Sequence, residues 1–129
     1  MAGYSGTPQA GKLGLKPGMR VSVENAPAGW SLTDPPGYED AAGGPADLIL
    51  RFVQAAAELD GSLAGLGRRI HPAGALWVLW PRKAAGHVSD VNENAIRDAV
   101  LPLGLVDVKV AAVDTDWSGL KVVWRRDRR

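Results

Sequence analysis

The sequence contains no cysteine and only two histidines, His71 and His87. The first absence excludes disulfides, a thiolate nucleophile and cysteine-ligated zinc. The second leaves a histidine-based metal cage short of ligands. A charge of one sign is also missing. Fifteen Lys and Arg offset fourteen Asp and Glu to a net +1, so no general attraction to nucleic acid or to a membrane surface is expected. No apolar run approaches the roughly twenty residues that span a bilayer. The opening MAGYSGTPQAGKLG lacks the apolar core of a signal peptide. A soluble cytoplasmic protein is the expectation.

What is present suits one α/β domain: 129 residues, 46% apolar and 22% charged. The chain is organised around Gly44–Lys83, an apolar run GPADLILRFV, a helical pattern, and a second apolar run HPAGALWVLWPRK. Two strands with no polar face belong to the middle of a parallel sheet, so this reads as a βαβ unit. Its helix, over about 54–70, carries the stripe Leu59, Leu63, Leu66 and Ile70. Gly61, Gly65 and Gly67 weaken it by about 1 kcal/mol each, so close packing has to compensate. Before the unit, residues 1–6 read as a loose arm. Thr7-Pro8 starts a short helix ended by Gly14, and Met19, Val21 and Val23 alternate as a first strand. Residues 26–43, with Pro27, Pro35 and Pro36, read as an irregular connection with either one helical turn or a short extra strand near 30–32. After the unit, Asp90-x-x-Glu93 has the form of a capping box opening a helix through Ile96 and Val100. Strands at about 105–113 and 120–125 then pair antiparallel across the turn 114–119.

These elements predict a truncated Rossmann-like, mostly parallel sheet of about five strands with a C-terminal antiparallel pair, in the order 1-2-3-5-4. Right-handed crossovers advancing one way place the helices at 54–70 and 90–101 on the same face. The other face is left to the short first helix and to residues 26–43. Either a second copy covers it, giving a homodimer, or the irregular segment folds down as a lid.

The pattern resembles the C-terminal half of the S-adenosylmethionine-dependent methyltransferase fold. At closer range it resembles a family of small bacterial proteins known only as a domain of unknown function. The stretches that carry this are GYSGTPQAGKLGLKPG (3–18), GPADLILRFV (44–53), PAGALWVLWPRKAAG (72–86), NENAIRDAVLPLGLVDVKVAAVD (92–114) and WSGLKVV (117–123). Residues 26–43 depart from it. The resemblance implies a Rossmann-like fold and no activity.

Ligands of parallel sheets sit beyond the carboxyl ends of the strands, here at Asn25, Gln54, Trp80, Arg82 and Lys83. Arg82 and Lys83 would recognise an anion with Trp80 as an apolar wall. No standard cofactor is expected. The turn ENAPAGW lacks the glycines that let backbone approach a nucleotide, and the strand whose end would supply an acid for the ribose is missing. Ser89 and Asp90 read as helix caps, and Asp114, Asp116 and Ser118 as a hairpin turn before a metal loop. His71 and His87 have no obvious acidic partner. Trp77 and Trp124 read as packing, Trp30 and Trp117 as contact residues. Arg125, Arg126, Arg128 and Arg129 read as a solvated, frayed end before a nucleic-acid contact. No catalytic residue, metal ligand or cofactor is assigned. The expected role is a noncatalytic binding or regulatory module acting through self-association or a protein partner. The alternative is a domain or enzyme that takes a nucleotide or anionic metabolite in the crevice.

Overall fold

A computed structural model describes residues 8–59 and 61–129, so the expectations for residues 1–7 lie outside the described residues. The apolar runs form β1 (Arg20–Glu24), β3 (Leu48–Phe52), β4 (Ala75–Pro81), β5 (Leu105–Ala112) and β6 (Trp117–Trp124), with the two-residue β2 (Glu39–Asp40). The six-stranded sheet runs β2-β1-β3-β4-β6-β5. Its first four strands are parallel, while β6 lies antiparallel between β4 and β5. The five expected strands thus keep their order. The extra strand lies at 39–40, not near 30–32, and is held by Glu39 N–H to Met19 O and Ala41 N–H to Val21 O, both 2.8 Å.

The sheet register sorts side chains to two cores. Ile49, Leu76, Val78, Leu120 and Val122 meet α2 (Leu63–Ile70) and α3 (Glu93–Val100) on one face, as the crossover rule requires. Val21, Leu48, Leu50, Phe52, Trp77 and Leu79 form the other core. That face is closed by the chain itself. α1 (Gln9–Leu13) contributes Leu13, and Trp30 and Leu32 of the irregular segment pack beside it. Gln9 ties the layer together: its Nε2 donates to Val113 O at 3.3 Å, and its Oε1 accepts Thr33 N–H at 2.8 Å. The irregular segment thus folds down on this face as the expected lid.

Four local expectations change. The helix expected over 54–70 is broken, because Gly61 turns at φ 78° between a 3-10 turn (Ala56–Leu59) and α2. The stripe still reaches the core, and Gly67 explains how: an added Cβ would lie 3.3 Å from both Leu105 and Trp124, whose indole donates to Gly67 O at 2.8 Å. The cap of α3 is Asn92, whose Oδ1 accepts Ala95 N–H at 2.9 Å, not Asp90. Asp90 instead accepts Ala56 N–H at 2.8 Å, where the chain leaves β3. In β5 the sequence alternates Val106, Val108 and Val110 with Asp107 and Lys109, which predicts the two charged residues on one face, and a bulge between Asp107 and Lys109 breaks that alternation. Asp107 turns to Arg97 of α3 at 2.8 Å, and Lys109 turns to the other face, over the Trp77 ring. Finally, the arginine tail is not frayed. It forms a 3-10 turn (Arg126–Arg128), with Arg129 Nε donating to Trp124 O and the His71 ring against Arg128 O, both 2.8 Å. No helix among the described residues is long and apolar enough to cross a membrane.

Candidate ligand cleft at the carboxyl edge

Antiparallel pairing of β6 with β4 brings the β5–β6 turn to the edge where β1, β3 and β4 end. Asp114 builds that turn. Its Oδ1 accepts the amides of Asp116 and Trp117, each at 2.9 Å, and its Oδ2 accepts the Trp30 indole N–H at 2.9 Å. Arg82 holds the turn from below. Its amide donates to Asp116 O at 2.8 Å and its guanidinium to Thr115 O at 2.7 Å. After β4 the chain makes a 3-10 turn (Lys83–Ala85), reverses at Gly86, and delivers His87 above the same edge. His87 Nε2 then lies 3.0 Å from Asp116 Oδ1.

The result is a cleft of about 340 Å³ lined by Pro27, Gln54, Pro81, His87, Asp116 and Trp117. Pro27, Gln54 and Pro81 come from the ends of β1, β3 and β4 or just beyond them, His87 and Asp116 from the loops folded over that edge, and Trp117 from the start of β6. Both members of the His87–Asp116 pair are exposed, so the pair adds little to stability. Its consequence is positional: the carboxylate fixes the imidazole at the mouth of the cleft. With the Gln54 amide opposite apolar walls, the cleft can hold a flat apolar body and hydrogen-bond its polar edge. Among the described residues no three His, Asp or Glu side chains are grouped to hold a metal.

No protein-family model matches the chain. No curated protein matches it in sequence. Solved structures do resemble it. Magnesium protoporphyrin IX methyltransferase from Synechocystis PCC 6803, with bound SAM, superposes with a TM-score of 0.58 at 14% identity, over 91% of this chain and 74% of that one. The ribosomal protein L11 methylase of Lactobacillus delbrueckii subsp. bulgaricus gives 0.57 at 13% identity, over 92% and 75%. The sheet is a methyltransferase-like Rossmann sheet. Identity this low establishes the fold alone.

A methyltransferase-like fold implies S-adenosylmethionine, and the residues at the end of β1 do not fit it in the expected way. The turn after β1 holds one glycine, Gly29, where a backbone approach to a cofactor calls for a glycine-rich turn, and Pro27 removes an amide donor. Asn25, in the left-handed region at φ 62°, donates its side-chain amide to Phe52 O at 3.2 Å and Glu58 Oε1 at 3.4 Å. Glu58 Oε2 accepts the amides of Gln54 and Ala55 at 3.0 and 2.8 Å. The donors an anionic or ribosyl group would use are thus occupied by the protein's own carboxylate. One expectation is overturned in the other direction: the second strand is present and ends in Glu39–Asp40, so an acid does stand there.

The five residues expected to form one site share an edge and separate within it. Gln54 lines the cleft. Asn25 is engaged with Phe52 and Glu58. Trp80, Arg82 and Lys83 border a different, shallow depression on the α3 side, beside Asn92 and Glu93. Arg82 is only 7% exposed, and its guanidinium holds the hairpin turn through Thr115 O. Ser89 caps no helix. Its hydroxyl donates to Gln54 O at 2.7 Å and accepts Val91 N–H at 3.1 Å. Trp30 and Trp117 also turn inward, each edge-to-face on Phe52 at 4.7 and 4.8 Å. Sequence reasoning missed the His87–Asp116 pair.

Proposed function

We propose that the chain is a noncatalytic small-molecule-binding domain of methyltransferase-like fold, with its site in the cleft at Gln54, His87 and Asp116. The observation that carries this is the convergence of three strand ends and a positioned His–Asp pair on one 340 Å³ cleft. Beside it Asn25 donates to Phe52 O, and Glu58 accepts the amide of Gln54. A flat ligand with a hydrogen-bonding edge fits the walls Pro27, Pro81 and Trp117. The test is a thermal-shift and NMR screen with adenosine, AMP, S-adenosylmethionine and small dicarboxylic acids. Stabilisation by one of them, lost in Gln54→Ala and His87→Ala, supports the reading. No stabilisation and no change in the His87 ring signals overturns it. A cytoplasmic location, and kinship with the small bacterial family that the sequence resembles, belong to the same proposal.

A second reading, action through self-association or a protein partner, is favoured by the outer edge of β5. Val108 and Val110 are 51% and 47% exposed there, on a strand with one neighbour. Lys109 and the bulge guard that edge, so the first reading is preferred. Light scattering on the eluted protein tests the second, and a monomer at high concentration refutes self-association.

A further inference from the structure

A second cavity lies away from the cleft, on the lid side of the sheet. It follows from the shortness of β2. That strand pairs with β1 only at Arg20↔Glu39 and Val21↔Asp40, and the chain then turns away through Ala42 at φ 49°. The upper half of β1 therefore has no neighbour on that side, and Val23 is left 38% exposed. The lid arches over the gap without filling it, leaving about 280 Å³. Val21 and Val23 form the floor, Trp30 and Leu32 the roof, and Tyr38 and Asp40 the outer wall. The register places Asp40 beside Val21, on the lid face of the sheet. One carboxylate oxygen of Asp40 accepts Ala42 N–H at 2.8 Å. Among the described residues no cation pairs with this carboxylate. The nearby Arg20 is directed to Glu39, 3.9 Å away, and to Pro45 O, 3.1 Å away.

An uncompensated carboxylate facing a cavity walled by an indole and a phenol has a definite chemical preference. Aromatic faces attract cations and tolerate apolar stems, while the carboxylate disfavours anions and adds direct attraction to a positive head. We propose that this cavity binds a small organic cation, an amine or quaternary ammonium carried on an apolar body. The site is separate from the cleft at His87, so either can fail without the other.

The probe is 2-phenylethylammonium, compared with its neutral counterpart 2-phenylethanol, each titrated into the full chain and followed by amide and indole NMR signals. The cation should shift Tyr38, Asp40 and the Trp30 indole saturably, and the alcohol should bind roughly fivefold to tenfold more weakly. Asp40→Asn keeps an oxygen for Ala42 N–H and removes the charge. It should weaken the cation by a similar factor and leave the alcohol unchanged. Tyr38→Leu, which keeps an apolar wall without the ring, should weaken the cation more than the alcohol. Equal affinity for amine and alcohol, an unchanged titration in Asp40→Asn, or shifts confined to His87 and Asp116 would each overturn the assignment.

Discussion

Trp30 is the residue through which the irregular segment 26–38 becomes part of the fold. Its ring meets Phe52 edge-on at 4.7 Å and 68°, Phe52 meets Trp117 at 4.8 Å, and its Nε1–H donates to Asp114 Oδ2 at 2.9 Å. Two substitutions separate these contributions. Trp30→Phe keeps an aromatic edge against Phe52 and removes the hydrogen bond. A bond to a carboxylate that is only partly shielded from water contributes about 1.5 kcal/mol, the low end for charged acceptors. Trp30→Ala also removes the aromatic pair, worth about 1 kcal/mol. With it goes the burial of roughly 100 Å² of apolar surface, at about 25 cal/mol per Å². The expected losses are about 1.5 kcal/mol for Phe and about 5 kcal/mol for Ala. Urea unfolding followed by far-ultraviolet circular dichroism measures both without relying on the fluorescence of the residue removed. A smaller urea dependence in Trp30→Ala would mean that the lid has come away from the sheet. If Trp30→Ala lies within about 0.5 kcal/mol of the parent, the lid is no part of the core and the closed face must be explained otherwise.

Two further outcomes follow from the same structure. Arg82→Ala removes a buried guanidinium that holds Thr115 O and should cost about 2 kcal/mol, whereas Lys83→Ala, exposed beside it, should stay within about 0.5 kcal/mol in the same unfolding assay. The reverse ranking would refute the structural role of the Arg82 guanidinium. The second outcome concerns pH. The Arg69 guanidinium, with the Ser22 hydroxyl, holds the Glu24 carboxyl below the usual carboxylate range. A depressed folded-state pKa gives stability that is complete above the unfolded value of about 4.3 and disappears as pH falls through the folded value. Glu24→Gln should therefore flatten the acid limb of the stability curve below about pH 4.3. An acid limb unchanged in the variant would refute the coupling.

The sheet was legible because burial writes itself into the strands. β3 and β4 are apolar on both faces, and that alone requires a covered, parallel position in the middle of the sheet. Crossover handedness then gave the shared face of α2 and α3. β2 was not legible for the opposite reason. Its two residues are both acidic, and neither alternation nor propensity marks them. The strand exists because backbone groups of Met19 and Val21 at the open edge of β1 find partners there. The cap of α3 illustrates competition of another kind. Asp90 and Asn92 are both good caps, and the choice was made by a tertiary contact, Asp90 to Ala56 N–H, that local sequence cannot report.

The candidate site was half legible. The cleft lies at the strand ends and Gln54 lines it, but position at an end does not say which way a side chain points. Arg82 extends the β4–β6 ladder by one more bond, its amide to Asp116 O. That bond carries its side chain under the hairpin turn and away from an incoming ligand. The His87–Asp116 pair could have been inferred from topology. Once the last two strands pair antiparallel beside β4, their turn must return to the edge where β4 ends. A histidine six residues beyond Pro81 and an aspartate in that turn then share the edge, although 29 positions separate them. The turn after β1 carried equal weight. It holds one glycine, Gly29, and its Asn25 bonds to Phe52 O and Glu58 while Glu58 accepts the amides of Gln54 and Ala55. Side chains of the protein itself thus satisfy backbone groups at this end of the sheet, a pairing across 33 positions that local sequence does not report.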